Sequence, residues 1–252
     1  MRRLFEAVLL SLTVSCAQPE AVNSYDVEKQ LASFHAGKSS ESFVFINAEI
    51  TTIESSCSVE TDECESIENE VMSATGSGMT IKIDRKKYVL TAAHVCSPTK
   101  FNPSLAIMDV LGLISVKLTG TGFYGNVAEF TVAAIDIEND VCILEPSSRW
   151  ASPHVSIAKN IPDQGSKLFV IAAPLGIFEP GMVLTFEGYF GGIDADGDMI
   201  SSIPTRPGSS GSAILNKQGK IVGVIHSAIS QFESIGIGTP IEKVHDLIEA
   251  MH

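Results

Sequence analysis

The feature that most limits the fold is a long succession of short apolar segments separated by turns rich in glycine and proline. The segments are rich in valine and isoleucine, which favours β-strands over helices. They are Phe43–Ile50, Gly78–Ile83, Lys87–Thr91, Leu113–Lys117, Ala128–Ala134, Val141–Leu144, Lys167–Ile171, Met182–Phe190, Asp198–Ile203, Ala213–Leu215 and Lys220–Ile225. With 252 residues, of which 44% are hydrophobic, the chain can bury the core of one large or two small domains. The pattern predicts an all-β fold, either a barrel or a sandwich.

Two further signals divide the chain. The polar stretch Glu145–Ser156 contains two prolines and is predicted to link two halves. At the C-terminal end, Thr239 as N-cap, Pro240 at the first helical position and Glu242 as the partner in a capping box predict a helix. Apolar residues recur at helical spacing after this start, which indicates a helix docked on the strands, and they are Val244, Leu247, Ile248 and Met251.

The N-terminus resembles an export signal. Two arginines follow Met1, and an apolar stretch from Leu4 to Val14 is too short to span a bilayer. Cleavage after Ala17 is one interpretation, and a lipobox in which Cys16 carries a lipid is the other. Residues 1–17 are therefore predicted to be a signal peptide and 18–42 a flexible extension. We expect an exported protein, extracellular or periplasmic, with a membrane tether if Cys16 is lipidated.

The cysteine count fits export. The five cysteines are Cys16, Cys57, Cys64, Cys96 and Cys142. If Cys16 is lost or lipidated, four remain. Cys57 and Cys64 lie in a segment, residues 51–70, with seven acidic residues and no base, which we interpret as a solvated loop closed by a local bridge. Cys96 and Cys142 would then pair, although three connectivities, or four free thiols, remain open.

Net charge excludes one class of partner. The chain has 30 acidic and 17 basic residues, a formal charge of −13. A nucleic-acid-binding protein needs the opposite sign, and no cluster of lysine and arginine offsets the negative charge. The three aspartates in Ile193–Met199 predict a hairpin turn, because the glycine among them falls too early for a calcium-binding loop. We expect neither a metal nor a cofactor.

The stretch Gly208–Ser212, "GSSGS", raises the question of a nucleophile. A serine hydroxyl reacts only when a base accepts its proton and a third group orients the base. Among the histidines, His94 follows a strand in "YVLTAAHVCS", and His226 ends another. Asp140 enters the apolar run of "IENDVCILE", where a partly buried carboxylate needs a partner. Asp136 is the alternative acid, but no comparable run follows it.

Taken in order, "TAAHVC", "NDVCIL" and "GSSGS" resemble the chymotrypsin-like (trypsin-like) serine peptidases, and most closely the HtrA and glutamyl-endopeptidase type. The resemblance covers residues 43–252. It implies two six-stranded antiparallel β-barrels followed by a C-terminal α-helix, with the first barrel at about 43–147 and the second at about 155–252. The site would lie in the cleft between the barrels. We expect no PDZ domain after the helix, where HtrA proteins have one.

The resemblance also implies the role of each residue. His94, Asp140 and Ser210 match the general base, the orienting acid and the nucleophile. The backbone N–H groups of Gly208 and Ser210 match the oxyanion hole. The implied function is a serine endopeptidase that hydrolyses polypeptides through an acyl-enzyme. The alternative is a catalytically inactive protease-fold protein that binds peptides.

The substrate pocket departs from both reference groups. Pro204 stands where trypsin has its aspartate, so a preference for basic residues is not expected. Thr205 matches the threonine of glutamyl endopeptidases, and His226 lies close to their pocket histidine but one place late. Either a bulge corrects this offset, or Ile225 faces an apolar pocket. We predict Thr205, Ile225 and His226 as substrate-binding residues.

Overall fold

The computed structural model describes residues 36–57, 64–229 and 232–251. The predicted signal peptide and most of the predicted extension lie outside these ranges. The described residues begin inside that extension with helix α1 (Ala36–Ser40), which is followed by a turn. Three serines of this segment are buried: Ser39, Ser40 and Ser42. None of the helices in the described ranges is long and apolar enough to cross a membrane.

Six antiparallel strands close the first barrel in the order β1-β2-β3-β6-β5-β4. They are β1 (Phe43–Cys57), β2 (Cys64–Ile83), β3 (Lys86–Thr91), β4 (Ile114–Gly122), β5 (Val127–Asp136) and β6 (Val141–Pro146). Three short helices connect β3 to β4: α2 (Ala93–Cys96), α3 (Pro98–Phe101) and α4 (Pro103–Val110). In α4 the Asn102 side chain accepts hydrogen bonds from two N–H groups of the first turn, so it is the N-cap.

The second barrel closes in the order β7-β9-β10-β13-β12-β11, again antiparallel, and the two-residue strand β8 is added beside β9. The strands are β7 (Lys167–Ala172), β8 (Phe178–Glu179), β9 (Met182–Ile193), β10 (Met199–Ser201), β11 (Ala213–Leu215), β12 (Ile221–Ile229) and β13 (Phe232–Pro240). Helix α5 (Ile241–Glu249) ends the described fold. The predicted pair of six-stranded barrels with a C-terminal helix is thus confirmed.

Buried side chains join the two barrels into one body. One apolar cluster contains Phe43, Met79 and Ile143 of the first barrel together with Ile171 and Val224 of the second. Helix α5 packs against the same cluster through buried residues that include Val244 and Leu247, as its apolar spacing predicted. The linker between the barrels is also fixed, because the buried Trp150 donates from Nε1 to Thr80 Oγ1 at 3.0 Å.

The structure corrects the prediction of a loop at residues 51–70. Strands β1 and β2 continue through most of this segment and, after a register shift between Ile50 and Thr51, pair as far as Cys57 opposite Cys64. Strand pairing gives the backbone N–H and C=O groups their hydrogen-bond partners. The loop prediction rested on side-chain charge alone and did not consider this backbone requirement. The predicted Cys57–Cys64 bridge concerns side chains outside the described ones. The Cys96–Cys142 disulfide, in contrast, is present.

A second correction concerns the start of α5. Thr239 is not its N-cap, because the helix begins at Ile241 after Pro240 and has no side-chain cap. Thr239 is instead the second-last residue of β13, and its hydroxyl donates to the carbonyl of Asn139 in the first barrel. The capping-box pattern failed here because a tertiary hydrogen-bond partner was available to the hydroxyl.

Candidate active site

Three segments that connect strands carry the predicted triad. His94 lies in α2 directly after β3, Asp140 lies in the turn between β5 and β6, and Ser210 lies in the turn before β11. Ala92 and Ala93 are fully buried, so their small side chains let the chain turn against the barrel before His94. The first two residues therefore belong to one barrel and Ser210 to the other.

His94 and Asp140 form a two-point contact. The ring Nδ1 lies 2.7 Å from Asp140 Oδ2, and the backbone N–H of His94 donates to Oδ1 at 2.9 Å. Burial alone would raise the pKa of the Asp140 carboxyl. The hydrogen bond and charge of the His94 ring, the His94 N–H and the charge of His226 outweigh burial and hold this pKa below its ordinary value. Asp140 is therefore an anion that orients the imidazole and leaves Nε2 available.

The turn that carries Asp140 also settles which aspartate pairs with the histidine. Asp136 accepts hydrogen bonds from the N–H and the Nδ2 of Asn139, at 3.0 and 2.6 Å, so it shapes the turn and does not pair with the ring. Asp140 itself has φ 47°, in the left-handed region that non-glycine residues rarely adopt. The backbone of Asp140 is therefore strained, and contacts with surrounding residues must stabilise it.

Ser210 lies where the two barrels meet. Its hydroxyl donates to the carbonyl of His226 at 3.4 Å, a long contact, rather than to His94. Its own carbonyl accepts from the N–H of Ser77 in β2 at 2.8 Å. Gly211, at φ 85°, has no room for a side chain, since a Cβ would lie 2.1 Å from Ser77 O and from Thr91 Oγ1. The turn that carries Ser210 therefore packs tightly against the first barrel.

The predicted oxyanion hole lies in the same turn. Gly208 has φ 91°, and a Cβ there would lie 2.5 Å from the carbonyl of Ala173. The Ser77 hydroxyl donates to Gly208 O at 2.8 Å and accepts from Ala173 N–H at 3.0 Å, which fixes the turn. Within the described ranges, neither the Gly208 nor the Ser210 N–H donates to another protein group. Both donors thus remain available to a ligand.

The three predicted pocket residues have different surroundings. Ile225 is fully buried in the core of the second barrel. Thr205 is almost fully buried, and its hydroxyl donates to Ile203 O at 3.3 Å. A bulge does occur in β12, where Ile225 and Ser227, but not His226, have partners on β13. The His226 ring Nε2 lies 3.3 Å from Asp198 Oδ1. Substrate binding by these residues stays a prediction.

Three contacts at the site were not predicted. The Ser77 hydroxyl bridges Gly208 and Ala173, and the "GSG" that contains Ser77 was the available signal. The Phe101 ring lies edge-on to the His94 ring, with centroids 5.8 Å apart. Asp198 was interpreted only as part of a hairpin turn, yet it pairs with His226. No local sequence pattern marks the last two contacts, and the second of them joins residues 28 positions apart.

Comparison with known proteins identifies the family. The model of the trypsin-like peptidase domain matches residues 76–224, which include His94, Asp140 and Ser210. The chain belongs to the trypsin-like peptidase family. No curated protein matches the chain.

Solved structures agree with the fold of this trypsin-like peptidase. The serine endoprotease from Yersinia pestis superposes with a TM-score of 0.61 at 17% identity, covering 92% of this chain and 68% of that one. Rv3671c from Mycobacterium tuberculosis, crystallised in an inactive form as a serine-to-alanine mutant, gives a TM-score of 0.56 at 16% identity, covering 85% and 88%. At these identities the likeness establishes the fold.

Proposed function

We propose that this trypsin-like peptidase is a serine endopeptidase in which His94, Asp140 and Ser210 form the catalytic triad. The observation that carries the proposal is the two-point contact between His94 and Asp140, which leaves Nε2 of the ring free on the side opposite to the carboxylate. A histidine held in this way is the base that a serine nucleophile requires. The family and the two-barrel fold support the same reaction.

The reaction begins with a rotation of the Ser210 side chain. Because its hydroxyl makes only a 3.4 Å contact with His226 O, turning it about χ1 toward His94 gives up little. His94 Nε2 then accepts the proton while Oγ attacks the scissile carbonyl. The N–H groups of Gly208 and Ser210 would stabilise the oxyanion, an effect for which one donor typically contributes about 10²–10³-fold in rate.

The second half of the reaction uses the same groups. His94, now an imidazolium stabilised by Asp140, protonates the leaving amine, and an acyl-enzyme remains on Ser210. The oxygen of a water molecule then attacks the acyl carbon while His94 accepts the water's proton. The bond to Ser210 Oγ breaks, His94 returns the proton to Oγ, and the acyl group leaves as a carboxylic acid. This sequence needs no cofactor. The substrates we propose are polypeptides, and Thr205, Ile225 and His226 would shape the pocket for the residue before the cleaved bond.

Fluorophosphonate labelling of the purified protein tests the assignment. We expect covalent labelling and hydrolysis of a mixed peptide library in the unaltered protein, and loss of both in Ser210→Ala. Ser209→Ala is the matched control, because Ser209 is the adjacent serine but is buried. Labelling that persists in Ser210→Ala would contradict the proposal.

Peptide capture without cleavage would support the inactive peptide-binding alternative. The cleavage sites would also decide between an acidic and an apolar pocket preference.

We also propose that the protein works outside the cytoplasm. The Cys96–Cys142 disulfide supports this location, because disulfides persist in oxidising compartments. Expression with a radiolabelled fatty acid tests the predicted tether. Label incorporated in the unaltered protein and lost in Cys16→Ser would support a lipid anchor, and a processed but unlabelled protein would support cleavage after Ala17.

A further inference from the structure

The backbone of the proposed orienting acid is strained. Asp140 is one of four non-glycine residues with positive φ in the described ranges, and the only one that contacts the candidate general base. Such a conformation persists only where the surroundings determine it from several sides. The contacts of the Asp140 turn therefore show what holds the carboxylate in place.

Contacts within the first barrel hold the turn on one side. The Asp136 carboxylate binds the N–H and side-chain amide of Asn139, and the His94 N–H binds Asp140 Oδ1. These contacts fix the start of the turn and the end of the Asp140 side chain. They leave the peptide unit between Asn139 and Asp140 to be oriented by another group.

That group comes from the second barrel. The Thr239 hydroxyl donates to the Asn139 carbonyl, whose oxygen belongs to the peptide unit that contains the Asp140 nitrogen. Because a peptide unit is planar, fixing this oxygen constrains the φ angle of Asp140. Thr239 is 1% exposed, so its hydroxyl has almost no access to water and takes the Asn139 carbonyl as its acceptor.

Thr239 is itself rigidly placed. It pairs with Val224 across β12 and β13. Two residues further along β12, His226 offers its carbonyl to the Ser210 hydroxyl. The same pair of strands thus contacts the proposed nucleophile on one side and the turn of the proposed acid on the other.

We propose that Thr239 is a positioning residue for catalysis, one that orients Asp140, and through it the His94 ring, from the barrel that carries Ser210. The inference rests on the proposed function, since it assigns Thr239 a part in that same site. Thr239 contacts no reacting atom, so its effect must pass through the Asn139–Asp140 peptide unit.

The test compares Thr239→Val, which removes the hydroxyl at nearly constant shape, with Thr239→Ser, which keeps it. We expect kcat to fall between about 10- and 100-fold in Thr239→Val, the range for small misplacements of catalytic groups, with KM changed less than about twofold. Thr239→Ser should restore most of kcat. The matched control is Thr80→Val, which removes another fully buried hydroxyl that bonds Trp150 instead of the Asp140 turn.

A proton NMR measurement separates this proposal from the proposed function, because it needs no turnover. The strongly deshielded proton between His94 Nδ1 and Asp140 should be visible in the unaltered protein and in Thr80→Val, and shifted or broadened in Thr239→Val. An unchanged resonance and kcat in Thr239→Val, or equal losses in Thr80→Val, would overturn the proposal. If Thr239→Val does not fold, Thr239→Ala is judged by the same criteria. If the resonance is present and depends on Thr239 but Ser210 is not labelled, the result contradicts the proposed function and leaves the orientation of Asp140 by Thr239 supported.

Discussion

Asp140 combines two functions that depend on its charge, one in the proposed mechanism and one in stability. Its carboxylate accepts two hydrogen bonds from His94 and lies near the charge of His226, so its pKa is lower in the folded protein than in an unfolded chain. A group with a lowered pKa stabilises the fold at every pH above its unfolded pKa, about 3.9 for aspartate. That contribution is lost as the pH falls through the folded pKa.

Replacement of this carboxylate should therefore change the dependence of stability on pH. We expect Asp140→Asn to be less stable than the unaltered protein at pH 6–7, by about 1–3 kcal/mol, and the difference to shrink steadily below about pH 4. Urea unfolding at a series of pH values measures it. A difference that stays constant from neutral to acidic pH would mean that the charge of Asp140 does not contribute to the stability of the fold.

At the scale of elements, the turn before β11 is built to fit against β2 and β3. A Cβ atom added at Gly211 would collide with Ser77 O and Thr91 Oγ1. Neither the strands nor the turn can move away, because Ser77 also holds Gly208 and Ser210. Gly211 therefore combines a positive φ with contacts so close that no side chain fits.

Gly211→Ala should separate these two effects when compared with Gly165→Ala. Gly165 also has a positive φ (79°), but no atom beyond its two neighbours in the chain lies within 4 Å of where a Cβ would be. We expect Gly165→Ala to lower the free energy of unfolding by about 1 kcal/mol, and Gly211→Ala by roughly 3 kcal/mol or more with loss of Ser210 labelling. Denaturant unfolding measures both. Equal costs would show that backbone conformation alone explains the glycine at 211.

The strands and the candidate triad were within reach of sequence reasoning because each has a local signal. Alternating apolar segments marked the strands, and the motifs around His94, Asp140 and Ser210 gave the resemblance. The bulge at His226 could only be posed as a question, since register depends on the partner strand. The prediction that Thr239 caps α5 was wrong, because its hydroxyl bonds the carbonyl of Asn139, which is distant in the chain, and does not bond the helix.

At the scale of the whole molecule, the barrels share one apolar cluster and exchange supporting contacts. The first barrel supplies Ser77 to the turn of Ser210, and the second supplies Thr239 to the turn of Asp140. The cluster between them contains fully buried residues from both barrels. Each barrel also has an apolar cluster of its own, but part of its core, and the candidate site, requires residues of the other barrel.

The two barrels should therefore unfold together. Trp150 is the only tryptophan of the chain, and it lies in the core of the first barrel, so its fluorescence reports on that barrel. Circular dichroism reports on the strands of both. We expect the two signals to give the same midpoint in urea, as a two-state transition requires. A fluorescence transition that precedes the dichroism transition would show that the first barrel unfolds independently.

The reciprocal supports of Ser77 and Thr239 also bear on how such chains could recombine. A genetic crossover within residues 147–156 would give each daughter protein one half from each parent. In such a chimera, the donors Ser77 and Thr239 would each come from a different parent than their acceptors, the carbonyls of Gly208 and Asn139. Exchange of halves between diverged relatives should therefore yield soluble hybrids far more rarely than exchange of exposed loops.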